Sequence, residues 1–284
     1  MNNILVPRIV KELFKIKKLD VSLAIFLSLI LLSIFGSLLY PVDPLDVVGP
    51  PERPPSSSFP LGTDNRGRDI LAMLIGGIKN SLYIGVIAAL IALGIGVIIG
   101  VISGYKGGLI DNLLMLLTDV VLVLPSILIM MLIAAYLKER NPIFVSLVIG
   151  VTSWPWVARA VRAQMMSLKA REFIYMSKIA GLRDSRIIFE DLLPNMASYI
   201  FMAFVLLMSG AMIAEAGLSM IGLGVTKGIS LGIILYWAQL FESVRRGLWW
   251  WFIPPGACLV ALASSLLLLS TALDEYFSPR LKGG

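Results

Sequence analysis

Few residue types in this chain are equipped for chemistry. Its 284 residues include no histidine and a single cysteine, Cys258, which lies inside an apolar run. Without imidazole there is no Ser–His relay, no histidine base and no histidine metal ligand, and one thiol forms neither a disulfide nor a cysteine cluster. No G-x-x-x-x-G-K-[ST] loop is present to cradle a nucleotide. No pair of carboxylates stands at a spacing that suggests hydrolysis. The sequence therefore predicts a non-enzymatic chain with no metal site and no cofactor of its own. What remains are isolated acids in apolar surroundings. Asp119 and Glu215 lie within long hydrophobic stretches, where an aspartate costs about 2.5–3.5 kcal/mol at a helix centre and less near its ends. Asp119 must face protein or water, with Arg159 or Arg162 as candidate partners. It is read either as half of a structural ion pair or as part of a pathway wall. Glu215, in Ala214-Glu215-Ala216-Gly217-Leu218-Ser219, stands near the outer end of its stretch, where a substrate would enter. Pro125 and Pro155 each remove a backbone hydrogen bond and can kink their helices.

The elements that position these residues follow from composition. Hydrophobic residues make up 58% and charged residues 15% of the chain, and mean hydropathy is +0.88. Soluble domains carry about 45–50% apolar and about 25% charged residues, so this is an integral membrane protein. A span needs about 20 mostly apolar residues. Six stretches qualify: 21–40, 79–103, 113–136, 143–163, 196–218 and 252–273. Lipid leaves no partner for open backbone groups, and the runs lack barrel-like alternation, so all six are read as helices. Glycines 85, 94, 96 and 100 would allow close packing of the second. The basic start (Arg8, Lys11, Lys15, Lys17, Lys18) precedes an apolar stretch too long for a signal peptide, which predicts an uncleaved anchor with a cytoplasmic N-terminus. With that orientation, 15 of the 24 Lys and Arg residues fall on the cytoplasmic side and 9 outside, in the expected direction. The C-terminus is then cytoplasmic too. The net charge of +6 is spread around helix ends, which suits anchoring to membrane lipids rather than binding nucleic acid.

Residues 41–60 hold seven of the fifteen prolines and form an extended extracytoplasmic connector. Leu61-Gly62-Thr63-Asp64-Asn65-Arg66-Gly67-Arg68-Asp69 then reads as a capped turn leading into a short outer helix at Ile70–Ile75. Loop 164–195 is patterned. Phe173, Met176 and Ile179-Ala180 recur on one helical face, Gly181 ends that helix, and Asp184 or Ser185 caps a second short helix that Pro194 limits. Such a pair forms either a protruding knob or two helices lying on headgroups. Trp249-Trp250-Trp251 reads as an interfacial aromatic belt.

Several motifs together resemble one family, the dipeptide/oligopeptide/nickel (C-type) permeases of ABC importers. Leu61-Gly62-Thr63-Asp64 with Gly67-Arg68-Asp69 is similar to its P-L-G-T-D-x-x-G-R-D signature. Gly104-Tyr105-Lys106-Gly107-Gly108 with Asp111 resembles G-Y-x-G-G-x-x-D, and Asp119 with Pro125 matches D-x5-P. Residues 214–224 match A-E-A-G-L-S-x-x-G-L-G, and Asp274 with Pro279-Arg280 fits the family's ending. In the loop hallmark E-A-A-x3-G-x9-I-x-L-P, Gly181, Leu193 and Pro194 stand at matching positions. Tyr175-Met176-Ser177 replaces E-A-A, and Asp191 replaces the isoleucine.

The resemblance implies an all-α polytopic protein of the ABC type-1 importer fold. An N-terminal part, 1–78, would precede a transmembrane core, 79–274, and a cytoplasmic tail, 275–284. It implies ATPase coupling through the loop, with Glu172, Phe173, Tyr175, Met176, Ser177, Gly181, Leu193 and Pro194 as the docking region. Asp119, Pro125 and Glu215 remain candidates for the pathway or for structural pairing. The implied partners are a second homologous permease subunit, two ATPase subunits and an extracytoplasmic substrate-binding protein. Peptides are the implied cargo, with nickel or oligosaccharides as alternatives. The rival readings are a stand-alone secondary transporter or channel, although neither an internal repeat nor many embedded charges are present, and an intramembrane enzyme, which lacks any acid or nucleophile constellation.

Overall fold

The structure is a computed structural model and describes residues 17–136 and 139–277. The basic residues Arg8, Lys11 and Lys15 and the ending Pro279-Arg280 lie outside the described residues. Among the described residues are eleven α-helices, in order α1 (Lys17–Leu39), α2 (Ile70–Lys106), α3 (Gly108–Val123), α4 (Ser126–Tyr136), α5 (Pro142–Ser153), α6 (Pro155–Lys169), α7 (Glu172–Ile179), α8 (Asp184–Arg186), α9 (Leu193–Met220), α10 (Leu231–Leu240) and α11 (Trp249–Phe277), with a π-helical turn between α8 and α9. Among the described residues the only β pairing is two isolated bridges, Val47 with Arg68 and Thr63 with Asp69. The protein is all-α and multi-pass. Four helices are individually long and apolar enough to cross a bilayer, and two bent pairs complete six spans when each pair is counted as one.

Prolines decide where the bent pairs break. Pro125 lies between α3 and α4, which meet at 79°, and Pro155 opens α6 at 48° to α5. In each case the missing N–H leaves a carbonyl one turn back without its ladder partner. Two other elements run on where the sequence predicts a stop. Instead of a short outer helix and a separate span at 79–103, α2 is one 37-residue helix. Gly76 and Gly77 do not break it because they serve as contact points. A Cβ at Gly76 would stand 2.9 Å from Pro44, and one at Gly77 would stand 2.9 Å from Ile234. Likewise Pro194 does not end a short helix, and Asp184–Met220 is one rod. Residues 187–192 widen into a π-helical turn, in which the Leu193 N–H donates to the Ile188 carbonyl, and Pro194 falls in the first turn of α9. A proline lacking its N–H is tolerated there.

Turn chemistry builds the cap over one end of the bundle. Asp64 Oδ1 accepts from the N–H groups of Arg66 and Arg68, each at 2.8 Å. Its Oδ2 pairs with the Arg68 guanidinium, which lies 4.0 Å over the Trp237 ring. Asp69 caps α2 by accepting from Ala72 N and also receives the Tyr40 hydroxyl at 2.8 Å. The tryptophan triplet is only partly a belt. Trp249 is exposed, but Trp250 and Trp251 turn inward. Trp250 Nε1 donates to Thr63 O, and Trp251 stacks on Phe241. The cap needs those indoles as its floor.

The core lies along α2. Cβ atoms built at Gly96, Gly100 and Gly104 would stand 3.0, 2.7 and 2.8 Å from the carbonyls of Trp154, Ala158 and Arg162. Glycine every fourth residue thus lets α2 and α6 approach backbone to backbone. Gly85 plays the same part against α9, whereas Gly94 has nothing within 4 Å. Gly100→Ile is therefore expected to cost about 1–3 kcal/mol by overpacking, read as a lower thermal-unfolding midpoint in detergent. Gly94→Ile should leave the midpoint unchanged.

Candidate functional site

The two proline breaks open onto one cavity. It has a volume of about 400 Å³ and is bounded by Leu124, Pro125 and Ser126 at the first break, Thr152, Ser153 and Pro155 at the second, and Gly210, Ala211 and Ala214 on α9. No ionisable side chain lines it. Its polarity comes from three hydroxyls and from backbone freed at the breaks. Thr152 donates to the Val148 carbonyl at 2.9 Å and Ser153 to the Ile149 carbonyl at 2.7 Å, which leaves their lone pairs to the cavity. The arrangement offers uncharged polar contacts between apolar walls.

Of the three candidates for pathway or pairing, Pro125 lines this cavity and the two acids do not. Asp119 pairs with Arg159 on α6 at 2.5 Å, both side chains half exposed. Such a pair contributes about 0–1 kcal/mol. The second candidate partner, Arg162, is engaged by an acid that pairing arguments from sequence had not placed. Asp111 takes it in a bidentate bond, 2.6 Å to each oxygen, and also accepts from Ser103. Asp111 is buried and Arg162 about one-third exposed. The two pairs staple α3 to α6. Glu215 is fully buried. Its Oε1 accepts from Ser219 and Ser230, each at 2.7 Å, while Oε2 has no partner. Because Ser230 also caps α10, Glu215 fastens α9 to the start of α10. Arg140 was likewise not singled out. It donates to the carbonyls of Gly224 and Gly222 and so ties the α4–α5 link to the connector before α10.

At the opposite end from the cap, residues 170–192 form a knob. Ile174, Ile187 and Leu192 are buried beneath it. Phe173, Tyr175, Met176, Ile179 and Phe189 all face outward, with Ile179 at 80% exposure. The apolar face read from the spacing of Phe173, Met176 and Ile179 is therefore real and is left exposed by the described residues. Glu172 and Phe173 border an open groove with Arg171 and Asn195. Gly181 takes φ +73°, which closes α7, and nothing lies within 4 Å of where its Cβ would stand. Leu193 and Pro194 open α9. Ser177 donates to Asp191 at 2.8 Å.

A family model described as "Binding-protein-dependent transport system inner membrane component" matches residues 96–283. The chain belongs to this family. It is 37% identical over 185 residues to the oligopeptide transport system permease protein OppC of Mycobacterium bovis, a match that spans 64% of each chain. It is 33% identical over 250 residues to the OppC protein of Lactococcus lactis subsp. cremoris, covering 86% of this chain and 85% of the relative. It is 36% identical over 217 residues to the dipeptide transport system permease protein DppC of Bacillus subtilis, covering 76% and 67%. Within the loop hallmark of the importer permeases, two departures meet in space: Ser177 stands at the second alanine and Asp191 at the isoleucine, and the two are hydrogen-bonded.

The two staples differ in burial and so in weight. Asp111→Ala leaves a mostly buried arginine without its partner and is expected to cost about 3 kcal/mol. Asp119→Ala is expected to cost less than about 1 kcal/mol. Thermal unfolding of the two variants in the same detergent measures the difference.

Proposed function

We propose that this chain is one of two membrane-spanning halves of an ATP-driven importer for peptides, with hydrolysis carried out by separate ATPase subunits. The observation that carries the reading is the knob: five large apolar side chains turned outward at the start of a rod, Asp184–Met220, whose far half forms a wall of the cavity. A surface of that kind demands a partner, and a rigid rod transmits what the partner does. On this reading the knob faces the cytoplasm and docks into an ATPase subunit, with Phe173, Tyr175, Met176 and Ile179 as its contact face. The cap of residues 41–69 faces an extracytoplasmic binding protein. The 15-to-9 distribution of Lys and Arg supports that orientation.

The proline breaks supply the pathway. Two bent pairs hinge at Pro125 and Pro155, and rocking of the helices about them would open the cavity to one face and then to the other. The apolar face of α3, with Leu113, Leu116, Leu117, Val120 and Val123 all exposed, would meet the second permease and close the other side of the passage. Peptides suit walls whose polar groups are neutral. Amide groups exchange hydrogen bonds with hydroxyls and free carbonyls, whereas a bare metal cation asks for carboxylate, imidazole or thiolate. The chain has no histidine, and the cavity lining includes no acid and no cysteine. The names of the relatives, oligopeptide and dipeptide permeases, support the same cargo.

Reconstitution of the chain with its partner permease, ATPase pair and binding protein in proteoliposomes tests the reading. ATP-dependent uptake of a labelled peptide is expected, and equal uptake without ATP would refute it. Gly181→Trp in that assembly should insert normally yet lose most ATP-driven uptake, because a non-glycine residue at φ +73° costs about 1–2 kcal/mol and shifts the knob. Uptake equal to wild type would remove Gly181 from coupling. The purified chain alone is expected to show no ATP turnover.

A further inference from the structure

The Gly104-Tyr105-Lys106-Gly107-Gly108 segment has no part in the reading above, yet its tyrosine touches α7, α8 and the end of α6. Tyr105 is the next-to-last residue of α2 and is buried. Its hydroxyl donates to Asp184 Oδ1 at 2.6 Å. Its carbonyl accepts from Lys169, the last residue of α6. Over its ring stand two ammonium groups, Lys169 Nζ at 5.2 Å and Lys178 Nζ, from α7, at 5.9 Å. Lys178 and Asp184 lie on opposite sides of the Gly181 turn, and that turn is an open joint, with no atom within 4 Å of where a Cβ would stand. Across that turn Ser177 of α7 bonds Asp191 of the rod at 2.8 Å, and Tyr105 adds a second tie, between Lys178 and Asp184. Tyr105 spans the joint.

We infer that Tyr105 is a positioning residue for coupling: its hydroxyl holds Asp184, and its ring holds Lys169 and Lys178, so that a displacement of α7 moves the rod and α6 together. Both elements line the cavity, α6 from Pro155 and the rod at Gly210 and Ala211. The glycine contacts between α2 and α6 keep the anchor itself stiff. The inference rests on the knob being the ATPase docking element. Tyr105 touches neither cargo nor nucleotide on that reading. It sets how much of each ATPase stroke reaches the passage.

The experiment uses the full importer in proteoliposomes and reads ATP hydrolysed per peptide imported. Tyr105→Phe keeps the ring and removes the hydroxyl. It should leave assembly and ATPase rate unchanged and lower the unfolding midpoint only slightly, while ATP consumed per peptide rises about fivefold, the effect of losing one net hydrogen bond from a two-state joint. Asp184→Ala, on the exposed side of the bond, should raise the ratio equally, and the double variant should be no worse than either single one. Asp184→Asn, whose Oδ1 still accepts, should keep the wild-type ratio. A wild-type ratio in Tyr105→Phe or in Asp184→Ala overturns the brace while leaving the import reading intact. A wild-type assembly that takes up peptide without ATP removes the import reading and the brace with it.

Discussion

In hydrocarbon every backbone N–H and C=O must find its partner inside the protein, because each open group costs several kcal/mol and no water is at hand. The architecture can be followed from that constraint. The chain bends sharply between helices at two places that share one cavity, and Pro125 and Pro155 both sit on its wall. A third proline shows the alternative. At Pro194 the rod does not break, because the turn before it widens and Leu193 reaches back five residues to Ile188. The same residue type thus makes a hinge in one setting and is absorbed in another. The difference is whether the neighbouring turn can re-pair.

Stiffness comes from the way α2 meets its neighbours. Where two helices approach backbone to backbone, small relative movements collide with main chain, and the contact behaves as one body. The Gly96, Gly100 and Gly104 contacts with α6 are of this kind. The Asp111–Arg162 bond then adds α3 at the knob end. The flexible joints lie elsewhere, at the two breaks and at Gly181. A transporter needs that division: rigid bodies to carry displacement and a few joints to absorb it.

Buried polar groups in this molecule serve as fasteners. Glu215 joins α9 to the cap of α10, and Asp64 holds the Arg68 guanidinium against Trp237. Ser177 and Asp191 join α7 to the turn beneath it. The last pair stands at two positions where the sequence departs from the family's hallmark. The outward face of the knob is unaffected, since Phe173, Met176 and Ile179 point the other way.

The sequence by itself determined the properties that depend on local composition. Apolar length located the spans, proline placed the breaks at 125 and 155, and glycine with Asx residues located the turn before α2 and the end of α7. It also supplied the family, because motifs in a fixed order survive in one dimension. Tertiary structure decided what depends on distance through space. Which arginine serves Asp119 follows from how α3 and α6 are rotated about their axes, and residues 40 or more apart in sequence do not encode that rotation. The place of Glu215 near the outer end of its stretch suggested a substrate's entry, but one residue is a rotation of about 100° on a helix. Ala214 therefore reaches the cavity while Glu215 turns into the core. The continuity of α2 and of the rod was equally hidden, because a glycine pair or a proline stops a helix only when nothing packed against it restores what was lost.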